Sequence, residues 1–427
     1  MYIRGEEVFA VEYENDEKMR MLYIPLRKYV GLYDKDFIKD LISNHDLPKY
    51  NKMFDVFKQR KYYDPTPKNN VPQLCIPFTN ICNLSCRYCY AHGGQNSGIM
   101  SGAMIDRIIE EYFGKLALRK INKGSFITVN FLGGCEATCA FELMKQAVEK
   151  IREKADELGL KPAFLMPTNG CYDGEIREFV LENFHSISLS FDGPQHIQDR
   201  HRPTVGGNGS FEKTFGTAKA LYDAKRRFAI HSVVTDYSIN YLEEIIDFFS
   251  ENFPKAKVSF EKMDELGNSF ENTEVNPPSY KEFTDAMERV KEYAANKPIQ
   301  ISSSRVINFN RLSKLFCSSV SNPNWVFTID GRITACMRAT HEDKGFFDYG
   351  SYDEQQDSFH FDMSKINGIK KMNIDEYEEC KECFCRYSCS GGCPFLRKAG
   401  LFECKNIKEA AKHELAHLIK VSLAKKG

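Results

Sequence analysis

The sequence predicts a parallel α/β fold for the middle of the chain, because short apolar segments alternate there with segments of helical periodicity. The predicted strands are apolar or β-branched runs at residues 75–79, 126–132, 163–167, 186–191, 228–234 and 256–260. Strands and helices that alternate in this way usually build a parallel sheet. Such sheets carry their chemistry at the carboxyl ends of the strands, so we expect functional residues directly after these runs.

Helical spacing is clearest in two of the intervening segments. Apolar residues share one helix face between Phe141 and Ile151, and again between Leu242 and Phe249. A further amphipathic helix is predicted near the end of the chain, at Lys408 to Lys426.

Changes in composition divide the chain into four parts. Residues 1–70 form an N-terminal unit of alternating stretches with a short helical piece, Asp36 to Ser43, and end in a polar linker. Residues 71–262 carry the strand–helix rhythm, and residues 263–300 are predicted to be a connecting region. Residues 301–427 lose the rhythm and are rich in cysteine.

Charge and hydropathy exclude several classes of partner. Lys and Arg total 58 against 59 for Asp and Glu, which gives no electrostatic reason to expect nucleic acid or an acidic membrane. The sequence contains no apolar run of membrane-spanning length and no secretory signal, so we expect a cytoplasmic protein. In a reducing compartment, fifteen cysteines more often bind metal or do redox work than form disulfides.

The first cysteine cluster follows the first predicted strand. Cys82, Cys86 and Cys89 form a C-x3-C-x2-C loop, which can ligate three corners of a [4Fe–4S] cube and leave one iron open. A structural zinc site is the alternative, but it needs four ligands, and His92 is the nearest candidate for the fourth.

This loop, with the motifs that follow it, resembles the radical S-adenosylmethionine (SAM) superfamily over about residues 73–260. The resemblance implies a partial (β/α)6 barrel in which the open iron binds SAM. Reductive cleavage of SAM then yields a 5′-deoxyadenosyl radical that abstracts a substrate hydrogen. Tyr88, within the loop, is expected near the adenine, or else it is a packing aromatic.

Three later strand ends also match the family pattern. The segment after the second strand resembles a Gly-Gly-Glu-Pro motif, which implies that Gly133, Gly134 and Glu136 bind the SAM amino group. This sequence departs from the motif by placing Cys135 before the glutamate and Ala137 after it.

The next two strand ends are expected to contact the methionyl and ribose parts of SAM through Thr168, Asn169, Ser190 and Asp192. Ordinary turn chemistry is the alternative, because Asn-Gly and Asp-Gly pairs favour turns in any protein.

A second cysteine array lies late in the chain. It resembles the SPASM extension of radical SAM enzymes, which usually holds two auxiliary [4Fe–4S] clusters, so three clusters are expected in all. The resemblance implies that one auxiliary cluster takes Cys317, Cys336 and Cys393, and the other takes Cys380, Cys383, Cys389 and Cys404.

Two closed cubes need eight ligands and the pattern offers seven cysteines, so the first auxiliary cluster either keeps an open iron or takes a further ligand, for which Cys385 is the local spare. A zinc ribbon built from Cys380, Cys383, Cys389 and Cys393 is the alternative, but it leaves the other cysteines of the array without a role. Cys135 and Cys139, outside both patterns, are candidate hydrogen-atom donors to a substrate radical, although free cysteines are often simply small buried residues.

The branch of the family with these features mostly modifies peptides. The leading hypothesis is maturation of a ribosomally made precursor peptide by crosslinking, splicing or epimerisation. Its leader would be bound by the N-terminal unit through β-augmentation, unless that unit only caps the barrel. A flavodoxin- or ferredoxin-like protein is expected to supply electrons.

Two other functions stay open. In the sulfatase-maturing (formylglycine-forming) family, an Asp base directly follows a cysteine of the first auxiliary cluster, whereas Met337 and Arg338 follow Cys336 here. A non-catalytic iron–sulfur electron carrier is the third possibility. A carrier has no need of Glu136 or Ser190 in register with the cysteine loop.

Overall fold

The computed structural model describes residues 1–14, 16–66, 71–93, 95, 97–132, 135–266, 274–303, 307–339 and 345–424. The chain divides into two compact units. The terminal unit consists of residues 1–69, 305–321 and 370–427, and the barrel unit consists of residues 70–304 and 322–369.

The strands are β1 (Tyr2–Ile3), β2 (Glu6–Glu7), β3 (Phe9–Tyr13), β4 (Asp16–Ile24), β5 (Tyr29–Asp34), β6 (Leu74–Cys75), β7 (Phe126–Asn130), β8 (Lys161–Thr168), β9 (Ser186–Ser190), β10 (Phe228–Val234), β11 (Lys257–Lys262), β12 (Gln300–Ser302), β13 (Trp325–Phe327), β14 (Arg332–Thr334), β15 (Asp348–Asp353) and β16 (Ser358–Phe361). The helices are α1 (Lys35–Asn44), α2 (Asn51–Gln59), α3 (Gly102–Ala117), α4 (Phe141–Glu157), α5 (Gly174–Asn183), α6 (Gln195–His201), α7 (Phe211–Asp223), α8 (Leu242–Asn252), α9 (Tyr280–Ala294), α10 (Ser318–Ser321), α11 (Met363–Lys370), α12 (Glu378–Lys381), α13 (Arg386–Cys389), α14 (Pro394–Lys398) and α15 (Cys404–Ala424). None of the helices in the described ranges is long and apolar enough to cross a bilayer.

The barrel unit is built on one sheet. Its strand order is β12-β11-β10-β9-β8-β7-β6-β13-β14-β15-β16. Pairing is parallel from β12 to β13 and antiparallel from β13 to β16. The six predicted strands correspond to β6–β11, which confirms the predicted parallel α/β fold.

The helices of this unit cover the sheet with the predicted faces. Met144 and Ile151 of α4 are buried, as are Ile245 and Phe249 of α8. Between the strands, Phe131 packs edge-on against Phe184 in the core. The helices and the aromatic core thus occupy the faces of the sheet, and the loops that carry the motifs follow the carboxyl ends of its parallel strands.

The sequence did not reveal how far the sheet extends. The predicted connecting region, 263–300, contains α9, which begins with a capping box between Ser279 and Glu282 and packs against α8. Beyond it, β13 pairs with β6, so residues 322–369 belong to the barrel unit and not to a single C-terminal domain. Strands of three residues, such as β12 to β14, are too short to show periodicity.

The terminal unit joins the two ends of the chain. An antiparallel sheet of order β3-β4-β5 carries α1, and α15 contacts both β3 and β5. The predicted helices at Asp36–Ser43 and Lys408–Lys426 correspond to α1 and α15. Asp34 caps α1 by accepting from the backbone N–H of Asp36 at 2.8 Å.

Candidate active site

The first cysteine loop follows β6 and is held by a distant segment, residues 201–205. The backbone N–H groups of Ser85 and Arg87 donate to the carbonyls of Pro203 at 2.8 Å and His201 at 3.0 Å. The N–H of Val205 returns a bond to the carbonyl of Asn83 at 3.1 Å. A loop without regular structure therefore gains a fixed backbone path.

The three thiols of this loop lie together. Cys82, Cys86 and Cys89 pack in one cluster around the buried Leu84. Burial raises the pKa of Cys86 to about 12 and also raises that of Cys82, where the neighbouring thiols add to the effect. Thiolates in such a place are costly without a cation to receive them.

The donor set fits an iron–sulfur cube. In the described part of the chain, no three His, Cys, Asp or Glu side chains are arranged to hold one metal ion. A [4Fe–4S] cube makes a different demand, because each thiolate binds a separate iron. Three neighbouring cysteines on one loop, one buried and two half-buried, meet that demand.

Glu136 lies behind the loop and is buried. Its carboxylate accepts from Thr138 Oγ1 at 2.9 Å, from Thr168 Oγ1 at 3.0 Å and from the backbone N–H of Asn169 at 2.8 Å. Burial raises the pKa of Glu136, while these donors act in the opposite sense. The carboxylate thus links the second and third strand ends, and its role toward the SAM amino group stays a prediction.

Asn169 connects the third strand end to the cysteine loop. Its side-chain amide donates to Asn83 Oδ1 at 2.8 Å and lies 3.7 Å from Cys82 Sγ. The side-chain oxygen of Asn169, Oδ1, accepts from the backbone N–H of Cys171 at 2.8 Å. The side-chain amide of Asn83 donates to the backbone carbonyl of Cys171. Asn169 therefore fixes the first cysteine of the loop.

Asp192, after β9, has no exposed side-chain surface. Its carboxylate accepts from Tyr88 Oη, from Arg202 Nε at 2.9 Å and Nη2 at 3.2 Å, and from the backbone N–H of Val233 at 2.8 Å. His201 Nδ1 lies 3.0 Å from the same group. The predicted ribose contact of Asp192 is untested, and the protein itself already uses its lone pairs.

Two residues of this network, His201 and Arg202, were given no role from the sequence. The sequence signal that includes them is the segment His196 to Pro203, which resembles the peptide-modifying branch of the radical SAM family but assigns neither residue a role. The role of this segment depends on its contact with the cysteine loop, where the Arg87 N–H donates to the His201 carbonyl, and no local pattern shows a contact between residues so far apart in the chain.

The remaining predicted residues that the structure describes, Ser190, Cys135 and Cys139, follow or end strands of the same sheet. Ser190 is half-buried at the end of β9, and Gly133 and Gly134 lie outside the described residues. Cys135 Sγ is 3.8 Å from Asn80 Oδ1. Burial raises the pKa of Cys139 to about 11 and that of Cys135 further, so both keep the S–H bond that a hydrogen donor needs.

A basic and aromatic group stands beside the loop. The ring of Tyr90 lies under the guanidinium of Arg338, 5.6 Å from its centroid, and Arg338 pairs with Asp264 at 3.1 Å. Met337 Sδ lies 4.0 Å from the Asn130 amide. The residue after Cys336 therefore presents a thioether and not a carboxylate to this edge of the sheet.

The second array gathers in the terminal unit. Cys380, Cys383, Cys389 and Cys404, the set predicted for one auxiliary cluster, lie close enough to perturb one another electrostatically, together with Cys385. Cys383 and Cys385 are 3.5 Å apart, and this hydrogen bond lowers the pKa of Cys383. Cys317 neighbours Cys393 in this unit, whereas Cys336 belongs to the barrel unit.

A cation completes the terminal array. Arg397 Nη2 lies 3.9 Å from Cys380 Sγ. Its guanidinium stacks on the rings of Tyr377 at 4.4 Å and Phe402 at 4.2 Å. Gly392 makes room for Phe402, because a Cβ at this position would lie 1.9 Å from the ring.

Comparison with known protein families gives one match. The model of the radical SAM superfamily matches residues 76–249, which begin directly after β6 and end within α8.

Curated relatives match more of the chain. The cysteine-type anaerobic sulfatase-maturating enzyme of Clostridium perfringens is 23% identical over 368 residues, covering 82% of this chain and 97% of the relative. The serine-type enzyme of Bacteroides thetaiotaomicron is 24% identical and covers 74% and 81%, respectively.

Among solved structures, native anSMEcpe with bound AdoMet (SAM) and Cp18Cys peptide aligns with a TM-score of 0.61 at 22% identity, covering 84% of this chain and 99% of the other. Streptococcus suis SuiB bound to precursor peptide SuiA aligns with a TM-score of 0.53 at 13% identity, covering 91% and 95%. At these identities the likeness shows a shared fold.

Proposed function

This chain is a radical SAM enzyme, and we propose that it acts on a residue within a ribosomally made peptide. When bound, a [4Fe–4S] cluster with SAM supplies the 5′-deoxyadenosyl radical that such enzymes use for hydrogen abstraction. The protein's own task is to hold the three thiols, to shape the SAM site and to keep the substrate residue dry. Solved structures that share its fold include complexes with peptides.

The observation that carries peptide maturation is the position after Cys336. A formylglycine-forming site needs a base there, and this chain has Met337, whose sulfur contacts Asn130. A thioether has no proton affinity at neutral pH. Crosslinking and epimerisation proceed from the substrate radical without a carboxylate at this position.

Each maturation reaction has its own balance of atoms. A thioether crosslink loses one hydrogen atom to the adenosyl radical, then one proton and one electron as the S–C bond forms. The second array, as one or two auxiliary clusters, is the proposed acceptor of that electron. Epimerisation instead returns a hydrogen atom to the opposite face of the substrate carbon, and Cys135 or Cys139 is its proposed source. The thiyl radical left on that cysteine regains its S–H bond with one electron from the flavodoxin- or ferredoxin-like reductant and one proton.

The test is an anaerobic assay of the reconstituted enzyme with SAM and precursor peptides, read by mass spectrometry. A crosslink removes two hydrogen atoms from the peptide, whereas epimerisation in D2O adds deuterium from an exchanged thiol. 5′-Deoxyadenosine formed without any peptide product, across precursor peptides rich in Cys, Thr or Tyr, would refute peptide maturation. Cys135→Ala and Cys139→Ala decide whether either thiol takes part.

Formylglycine formation is the second candidate, and the near full-length match to the Clostridium perfringens relative favours it. The Cp18Cys peptide, seen with anSMEcpe, is the direct probe. Conversion of its Cys to an aldehyde would favour this function over crosslinking. Met337→Asp, which restores the missing carboxylate, should raise aldehyde yield if the rest of the site is suited to it.

The terminal unit is the proposed leader-binding unit. Its sheet ends in β3 on one side and β5 on the other, and an extended peptide can add a strand at such an edge. Hydrogen exchange of the full chain with and without leader peptide tests this. Slower exchange in β3 or β5 is expected, and unchanged exchange along both edges removes the recognition role.

A further inference from the structure

Among the described residues of the barrel unit, Arg202 is a buried arginine whose flanking backbone is hydrogen-bonded to the cysteine loop. Its side chain is 8% exposed and its partner Asp192 is fully buried. Arginine remains protonated in proteins, so this position holds a permanent positive charge. A charge without water needs a partner, and the two-point contact with Asp192, at 2.9 and 3.2 Å, supplies it.

The backbone brings Arg202 to Cys86 in particular. The residues on either side of Cys86, Ser85 and Arg87, donate to the carbonyls on either side of Arg202, those of Pro203 and His201. Cys86 and Arg202 therefore face each other between two backbone hydrogen bonds that join their chain segments. In that position the guanidinium makes a hydrogen bond with the Cys86 side chain.

The two charges of the pair act unequally on Cys86. Burial raises the pKa of this thiol, the positive charge of Arg202 opposes that rise, and the negative charge of Asp192 adds to it more weakly. Within the ion pair, Arg202 therefore has the larger effect on Cys86, and the neighbouring Cys89 thiol also raises the pKa of Cys86. The ring of Tyr88, 5.2 Å from the guanidinium, covers the pair on one side, so water screens this charge poorly.

We propose that Arg202 is a positioning residue that aims Cys86 at the cluster and raises the reduction potential of that cluster, with Asp192 setting how much of the charge is felt. The proposal rests on the assignment of the Cys82–Cys89 loop as the cluster-binding loop of a radical SAM enzyme. A reduced cluster carries one more negative charge than an oxidised one. A nearby fixed cation stabilises the reduced form more, and reduction becomes easier.

The experiment is a redox titration of reconstituted full-length protein without peptide substrate, followed by electron paramagnetic resonance. The SAM-binding cluster is recognised as the reduced signal that changes when SAM is added. Iron and sulfide content and thermal unfolding are measured on the same samples. Peptide turnover is not read, so a wrong assignment of the substrate leaves the result intact.

The variants are designed to give opposite signs. Arg202→Gln removes the cation and should lower the midpoint potential of that cluster. Asp192→Asn leaves the cation without its counter-charge and should raise the potential. Arg202→Lys keeps the charge but loses the two-point contact, so its potential should lie between those of wild type and Arg202→Gln.

The matched control is Arg177→Gln. Arg177 is another partly buried arginine of the barrel unit, but it donates to the Tyr172 carbonyl at 2.8 Å and to Thr217 at 3.2 Å. Its removal should leave the potential unchanged.

The direction in which the midpoint potential shifts distinguishes an electrostatic role of Arg202 from a purely structural one. If Arg202 served only to hold the fold, Arg202→Gln and Asp192→Asn would break the same ion pair and change the cluster alike. Shifts in one direction, or none in protein with full iron, overturn the proposal. If Arg202→Gln loses its iron, the decision rests on Asp192→Asn, and an unchanged or lowered potential there overturns it.

Discussion

The two cysteine-bearing regions gather their thiols in different ways. Cys82, Cys86 and Cys89 lie within eight consecutive residues, and their path is fixed from outside by residues 201–205. The terminal array takes its thiols from α12, α13, the first residue of α15 and the turns between these helices. Local secondary structure therefore fixes the positions of these thiols. The first site thus depends on remote residues of the barrel unit, whereas the second depends on local turns.

The cations beside the thiols differ in the same sense. Arg202 reaches Cys86 from a segment more than 100 residues away and is neutralised by a buried aspartate. Arg397 lies 17 residues from Cys380, stacks between two aromatic rings and pairs with Glu379, which is half exposed. We therefore expect substitution of Arg202 to act on the redox chemistry of the first cluster, and substitution of Arg397 to act first on local stability.

Removing the first set of thiols gives the largest expected effect. Cys82→Ala, Cys86→Ala and Cys89→Ala together should abolish 5′-deoxyadenosine formation and lower iron from about twelve to about eight per chain. Anaerobic iron and sulfide analysis of both proteins measures it. About four irons in wild type, with none in the variant and zinc present, would make the terminal array a structural metal site.

The terminal array offers a sharper comparison between neighbours. Cys383→Ser should remove about four irons, because it takes a ligand from one cube. Cys385→Ser should keep its iron, since four other cysteines already satisfy that cube and the Cys385 thiol shares a hydrogen bond with Cys383. Equal iron loss in both variants would show that Cys385 is itself a ligand.

Glu136→Gln tests the link between strand ends. A glutamine amide would turn a donor toward the hydroxyl of Thr168 or the backbone N–H of Asn169, so the free energy of unfolding should fall by about 1–3 kcal/mol. Affinity for SAM should fall as well. Glu142→Gln, on the exposed face of α4, is the control, and equal behaviour of the two would remove the special role of Glu136.

Arg397→Gln should have the smallest effect. Loss of the stacking on Tyr377 and Phe402 should cost about 1 kcal/mol of unfolding free energy. Iron content should stay at the wild-type value, because no ligand is removed. Denaturation with an optical probe of the cluster measures both quantities, and loss of iron at unchanged stability would contradict this ranking.

The sequence was most informative where the chemistry is local. The strand–helix rhythm predicted β6 to β11, and the spacing of Cys82 to Cys89 predicted a loop directly after β6. The set Cys380, Cys383, Cys389 and Cys404, taken from resemblance, does gather in one place.

Long-range contacts could not be predicted from the sequence. Arg202 beside Cys86 and the pairing of β13 with β6 join residues separated by more than 100 positions. The network on Asp192 was likewise hidden, because a turn aspartate and a buried ion-pair partner have the same local sequence. Burial and partners, which decide between those roles, exist only in the folded chain.

The pairing of β13 with β6 also bears on the order of events during synthesis. Trp325 and Val326 flank Leu74 and Cys75, the strand from which the first cysteine loop departs. That strand gains its second neighbour only after about three quarters of the 427 residues have left the ribosome. Until then, the loop that departs from this strand has support on one side only, so stable insertion of a cluster into the loop is expected to follow synthesis of β13.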